Sequence, residues 1–305
     1  MRRLWHERAI RRLLLLRAGD GWTVVVSKSI AAGLPPFSAT ALRFAIAFPI
    51  FVAMMQVRKV RWPKLGARDR WLVIAQAGAG SVSYTVCLIG GMRLASAADA
   101  GVIAGTLPAA SAAVAALALG ERPSPALLGA IALATLGVLA CTVRLDDLTT
   151  GRGAHSLAGN AMVFAAIVCE ALFILLNRKL RTPVAALPLS ALMSGIGFLV
   201  AIVPACFERP WHVRFNADFA AAVAGVVYYA LVPTVLGFVL WFAGASRISG
   251  AEAGLVPVST FALAAGVLHE SISRAQMMGV VCVLAAVMLA TIGQVRVGLR
   301  LRLRR

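Results

Sequence analysis

Charge is scarce in this chain, and negative charge is scarcer still. Charged residues make up 14% of the 305, and only 12 are Asp or Glu. A soluble domain carries about 25% charged and about 45–50% apolar residues, whereas 60% of this chain is hydrophobic. So few charges cannot cover a soluble surface, and composition points to a membrane protein. Histidine is rare as well: His6, His155, His212 and His269 are dispersed, which argues against a histidine-rich metal centre. The five cysteines, Cys87, Cys141, Cys169, Cys206 and Cys282, contain no C-x-x-C pair and lie in apolar runs. They read as small buried hydrophobes rather than disulfide partners or metal ligands. No metal, cofactor or catalytic group is therefore expected. The formal charge of +18 would suggest nucleic acid in a soluble protein. Here the basic residues stand between apolar runs and at the termini, where they set membrane topology. Nucleic acid is thus not an expected partner, and the lipid bilayer is.

What the chain does have is apolar sequence in lengths of about 20 residues, the reach of a helix across a bilayer. Ten such spans are expected: Leu13–Ala32, Phe37–Val57, Trp71–Met92, Ala98–Leu119, Pro125–Val143, Ala158–Leu176, Leu187–Phe207, Phe219–Ala243, Ala251–Leu268 and Ala275–Val295. The basic start, interrupted at Arg17 and Asp20, reads as a cytoplasmic segment entering a polar first span rather than as a cleavable signal. The tail Arg296–Arg305 alternates Arg with Leu and reads as a basic membrane-surface segment. With the N-terminus inside, 22 of the 30 Lys and Arg fall in inner segments and 6 in outer loops. That bias supports ten spans with both termini cytoplasmic, as in a multi-pass protein of a bacterial inner membrane.

An internal echo organises these spans. Ser96–Val143 returns near the C-terminus as Ser249–Val295: Asp99-Ala100-Gly101 answers Glu252-Ala253-Gly254, and Pro108 and Pro257 each stand 13 residues before a glutamate, Glu121 and Glu270. Gly129 and Gly279 open the following helices. The chain divides at the polar loop Arg144–Ser156 into two five-helix repeats, residues 1–148 and 149–305, the second ending in the basic tail. Five spans is an odd number, so the second repeat must enter the membrane upside down. The expected fold is an all-α integral membrane protein of ten transmembrane helices in two inverted five-helix repeats, a plan of secondary transporters with the substrate site at mid-membrane.

The chain also resembles the EamA-type branch of the drug/metabolite transporter superfamily. Pro36 with Ala41-Leu42-Arg43-Phe44 opens the second span, Leu119-Gly120-Glu121-Arg122-Pro123 follows the fourth, and Gly129, Pro257 and His269-Glu270 add to the likeness. It covers nearly the whole chain. It departs from the family in a polar first span, in His269 where glycine is usual, and in a short ninth span. The resemblance implies ten helices around a central cavity and transport, often export, of small metabolites such as amino acids or drugs.

Candidate substrate or coupling residues are the polar groups inside spans. Glu170 sits mid-span in the sixth helix, where an ionisable group is a functional candidate by default; it could carry a proton or face a cationic substrate group. Asn177 follows two turns later on the same face. Asp20 occupies an equivalent place in the first helix if Lys28 is registered with Arg178, giving a symmetric pair suited to proton coupling. Lys28 could pair with an acid or snorkel outward. Gln76, Gly80, Ser83 and Cys87 recur on one face of the third helix, with Tyr84 beside them; that stripe suits either a polar cavity wall or close helix packing. Tyr228 and Tyr229 could stack on a substrate. Arg43 would make an attractive carboxylate ligand, though a structural role reaching the interface is favoured. Asp99 and Glu252 complement helix N-termini. Pro108 and Pro257 are the expected helix breaks or hinges. Together these features predict a secondary transporter of small metabolites (amino-acid-like compounds, amines or drugs), an exporter working by alternating access with proton coupling. Two other readings stay open: a membrane-embedded lipid-modifying enzyme and a degenerate structural membrane protein. Oligomeric state is not readable from the sequence.

Overall fold

The computed structural model describes residues 22–119, 125–142, 152–182, 184–208, 216–239 and 273–303. Among them every regular element is helical: residues 22–33 (α1), Pro36–Val57 (α2), Ala67–Met92 (α3), Ala97–Ala104 (α4), Leu107–Leu119 (α5), Pro125–Thr142 (α6), Arg152–Arg178 (α7), Ala186–Phe207 (α8), Ala217–Val239 (α9) and Arg274–Leu303 (α10). Five of these, α2, α3, α7, α8 and α9, are long and apolar enough to cross a membrane; α4 with α5 makes a sixth if the bent pair is one span. Large apolar side chains face outward, Leu117, Phe207 and Val57 each more than four-fifths exposed. Such a surface suits lipid, not water.

Local chemistry sets where the helices begin and bend. Pro35 stands before α2 in extended backbone and Pro36 takes its first position, where proline's missing N–H costs nothing. The fourth predicted span is broken in the turn just before Pro108. The chain turns 47° between Ala104 and Leu107; Pro108, in the first turn of α5, has no N–H to offer the Ala104 carbonyl four residues back. Thr106 closes the end of α4, its Oγ1 donating to Ile103 O at 2.6 Å and its N–H to the same oxygen at 3.0 Å. Two predicted limits also move. α7 starts at Arg152, inside the expected loop, and α10 runs to Leu303, through most of the expected separate tail. Arg and Leu are good helix formers, so the alternating tail simply continues its helix.

The cysteine expectation needs correcting. Cys87, Cys169, Cys206 and Cys282 are free, but Cys206 is exposed and the other three are half-buried. An apolar outer face suits a thiol as well as a core does.

The helices form two compact units, each drawing on both halves of the chain. One comprises Met1–Val24, Leu94–Val168 and Ser249–Arg305. Its described core is small-residue packing: Ala97, Ala98, Ala100, Val102 and Ile103 of α4 are fully buried, as are Ala130 of α6 and Val283 of α10. Gly137 allows α6 and α10 to approach closely; a Cβ there would lie 3.0 Å from the Gly279 carbonyl oxygen. The other unit comprises Val25–Arg93 and Cys169–Ile248. Its core sets aromatic and aliphatic side chains of α2 against α8. Phe44, Phe51 and Ala47 are fully buried with Ala191 and Met193, and the Phe44 ring lies over Gly197.

Candidate functional site

In the second unit two helices lose their α-helical ladder partway along. Residues Gln76–Ser83 of α3 and Ala230–Leu236 of α9 are π-helical. The cause is plain in α9. Pro233 has no N–H to offer the carbonyl of Tyr229 four residues back, and its ring crowds that carbonyl. The Thr234 hydroxyl donates to the Tyr229 oxygen instead, at 2.7 Å. In α3 the segment QAGAGSVS holds two glycines and two serines, residues that weaken a regular helix. Such π segments occur frequently at functional sites.

A polar cluster sits beside both segments. Arg43, two turns into α2, is 5% exposed. Its Nη1 donates to Thr85 Oγ1 at 2.9 Å and its Nη2 to Ser81 Oγ at 3.3 Å. Thr85 spends its own hydroxyl proton on Ser81 O, at 2.9 Å, which turns a lone pair toward the guanidinium. The guanidinium carbon stands 4.4 Å from the centroid of the Phe44 ring and 5.9 Å from that of Tyr229. Tyr229, last residue before the α9 π segment, is fully buried, and its hydroxyl is hydrogen-bonded to that of Ser27 on α1. Arg43 Nε has no hydrogen-bond partner.

The predicted α3 stripe faces elsewhere. Gln76, fully buried, donates from Nε2 to Phe173 O of α7 at 3.3 Å, while its Oε1 accepts no hydrogen bond. A Cβ on Gly80 would fall 2.3 Å from Phe173 Cβ, and the Cys87 thiol is hydrogen-bonded to that of Cys169. Gln76, Gly80 and Cys87 thus pack α3 on α7. Ser83 and Tyr84 are half-buried on α3. Tyr228 is half-buried beside Tyr229, their rings edge to face at 6.5 Å. Glu170 and Asn177 are half-buried on α7 and Lys28 is half-buried on α1; Glu170 and Lys28 each have an interaction partner. Asp20 and Pro257 lie outside the described residues. The sequence offers Tyr229 as a candidate and Arg43 as a carboxylate ligand with a structural role favoured; it gives no sign of Ser81, Thr85 or Thr234. Arg43 carried a visible signal, a guanidinium far inside an apolar run, which deserved more weight.

Acids at helix ends tie this unit together. Glu208, after α8, accepts from Phe37 N–H at 2.9 Å, Ser38 N–H at 2.7 Å and the Ser38 hydroxyl at 2.8 Å, capping the start of α2. Asp69, in the first turn of α3, accepts from the Thr182 N–H at 2.9 Å and from its hydroxyl. Arg93 returns the favour at the end of α1, donating to Ala31 O and Leu34 O at 3.2 and 3.0 Å.

Long apolar helices, an apolar outer surface and a buried polar cluster beside two π segments describe a multi-pass membrane protein of the transporter kind. Comparison makes this specific: the EamA-like transporter family matches residues 14–143 and 157–292, and the chain belongs to that family. It is a transporter and not an enzyme. It is 29% identical over 276 residues to the uncharacterized transporter YetK of Bacillus subtilis (strain 168), covering 89% of this chain and 83% of that protein. It is 27% identical over 210 residues to a probable terminal-alkyne amino-acid exporter of Streptantibioticus cattleyicolor, covering 68% of this chain and 65% of that one. A crystal structure at 21% identity covers 92% of this chain and 95% of its own, with a TM-score of 0.59, which shows the shared fold.

Proposed function

We propose that the protein is a secondary transporter of small amino-acid-like metabolites, an exporter that works by alternating access and is coupled to protons. The observation that carries this reading is the pair of π segments, Gln76–Ser83 and Ala230–Leu236. They fall in the third and eighth expected spans, the same place in two five-helix repeats. Paired interruptions at corresponding positions of inverted repeats point to a transporter's binding site. The repeats themselves, 1–148 and 149–305, with ten helices and both termini cytoplasmic in a bacterial inner membrane, belong to the proposal. Supporting them, each compact unit takes residues from both halves of the chain. The amino-acid class is supported by the name of the Streptantibioticus relative; amines and drugs are the neighbouring classes.

In this reading Glu170 is the proton carrier of α7, with Asp20 its counterpart in the first helix. Lys28, Gln76, Ser83, Tyr84, Asn177, Tyr228 and Tyr229 contribute to substrate or coupling contacts. Pro108 and Pro257 mark the flexible points of the fourth and ninth spans. The test is flux in proteoliposomes under an imposed pH gradient. The wild type should drive neutral amino acids with the gradient, and Glu170→Gln should lose gradient-driven flux while keeping its elution profile. Unchanged pH-dependent flux in that variant removes Glu170 from coupling. Absence of flux in the wild type across amino acids, amines and drugs removes the substrate class.

A further inference from the structure

We propose that Arg43 is the seat for a carboxylate group of the transported molecule, a proposal that rests on the transport reading above and names the substrate's charge. A guanidinium taken out of water costs several kcal/mol unless a counter-charge and hydrogen bonds replace the lost hydration. Arg43 is 5% exposed, yet its partners are all neutral: two hydroxyls, Thr85 and Ser81, and the faces of two rings, Phe44 and Tyr229. No carboxylate of a described residue pairs with it. The cation is held, oriented and left short of an anion.

The geometry matches what a carboxylate needs. Arginine offers five N–H donors in a planar fork and binds carboxylates through two parallel bonds. Thr85 and Ser81 take one donor from each terminal nitrogen, and Nε is unpartnered. Nε–H with a remaining Nη–H forms the side edge of the fork, the pair of donors a carboxylate accepts. The ring faces of Phe44 and Tyr229 fix the guanidinium plane without neutralising it. The cluster also adjoins the segments that interrupt α3 and α9: Ser81 lies within one π segment and Tyr229 caps the other. A change in either segment would move a ligand of the guanidinium. Alternating access requires that kind of coupling between charge recognition and helix geometry. Arg43 Nε is shielded from solvent in this structure.

Two measurements on the purified full chain decide the matter. The first is flux in proteoliposomes of neutral L-amino acids, L-leucine, L-methionine and L-propargylglycine, against their carboxamides, which keep the amine and side chain but lose the carboxylate. The wild type should prefer the acids by about tenfold to a hundredfold, the weight of a charge-assisted pair. Arg43→Gln should erase the preference, and Arg43→Lys should keep part of it. A purely structural arginine would lower both fluxes and leave their ratio unchanged, and that result overturns the proposal. The second measurement does not depend on the amino-acid class or on a folded variant. Phenylglyoxal modification of Arg43, read by peptide mass spectrometry, should be slowed by benzoate or acetate and not by benzamide or acetamide, with Arg93 as the unprotected control. Failure of carboxylates to protect, or failure of the reagent to reach Arg43 at all, overturns the proposal. Protection by carboxylates without flux of any amino acid leaves the anion seat standing and removes the amino-acid reading instead.

Discussion

Gln276 Nε2 donates to Asp99 Oδ1 at 2.7 Å, joining the first turn of α10 to the first turn of α4. Each helix start is also capped by its own serine. Ser96 accepts from Asp99 N–H at 3.0 Å, and Ser273 and Gln276 exchange backbone-to-side-chain bonds in a reciprocal capping box. Gln276 Nε2 further reaches Ser96 Oγ at 3.2 Å. Two caps are thus cross-linked through one amide, which reaches the buried Asp99, 2% exposed.

Gln276→Ala is therefore expected to destabilise the protein by about 1–2 kcal/mol, the worth of a buried hydrogen bond and of the helix cap lost with it. Unfolding in SDS-titrated mixed micelles measures it. Pairing the substitution with Asp99→Ala should cost less than the sum of the two singles, because both remove the same hydrogen bond. Additive losses would show that the two side chains do not depend on each other.

Glycine content alone does not say which glycines matter, and α3 offers a matched pair. A Cβ on Gly80 would lie 2.3 Å from Phe173 Cβ and 2.8 Å from its Cα, whereas one on Gly78 would meet nothing within 4 Å. Gly80→Ala should force α3 and α7 apart and cost at least about 1–3 kcal/mol, as overpacking does. Gly78→Ala should be neutral or stabilise by up to about 1 kcal/mol through helix propensity. The same micelle unfolding assay ranks them; equal effects would mean that α3 does not sit on Phe173.

Glu208 makes three hydrogen bonds to Phe37 and Ser38 across 170 or so residues of sequence. Glu208→Ala should cost about 0.5–2 kcal/mol, the usual worth of a helix cap. Glu208→Gln, which keeps an acceptor oxygen but not the charge, should cost less. Hydrogen exchange of the first turn of α2 supplies the local readout, with faster exchange expected at Phe37 and Ser38 in the alanine variant. Unaltered exchange there would rule out the cap.

These contacts mark the limit of what the sequence makes legible. The spans could be read because apolar runs of about 20 residues have one inexpensive place to go. Helix starts could be read where their chemistry is local, as at Pro35-Pro36. Gln276, Glu208 and Asp69 could not be read as ties, because their partners lie 177, 170 and 113 residues away and any exposed polar residue near a span end looks the same. Arg43 was visible as a charge in an apolar run, but Thr85 and Ser81, 42 and 38 residues on, decide that it is held by neutral groups. The bend before α5 was expected at Pro108 because proline breaks a helix interior. The chain turns at Gly105-Thr106, inside the turn that a proline at 108 disrupts, so that break was legible while its angle was not.

The α9 interruption can be tested by repairing it. Pro233 removes the donor that Tyr229 O would otherwise accept, and Thr234 Oγ1 supplies a substitute at 2.7 Å. Pro233→Ala restores an N–H, so the segment Ala230–Leu236 can return to an α-helical ladder. Helix stability should rise, since a proline in a helix interior costs about 3 kcal/mol relative to alanine. The same repair removes one residue of slack from the helix and rotates Tyr229 relative to everything beyond Leu236, because a π segment holds an extra residue in its turn. Tyr229 would then move away from the Ser27 hydroxyl and the Arg43 guanidinium. The expected result is a variant that resists SDS unfolding better than the wild type and transports less well. Thr234→Val, which keeps the proline and removes only the substitute bond, should instead lose about 0.5–1.5 kcal/mol with transport less affected. Stability and flux measured together on both variants separate the two cases. A Pro233→Ala protein that gains stability and keeps full transport would show that the π segment is a tolerated irregularity with no part in the transport cycle.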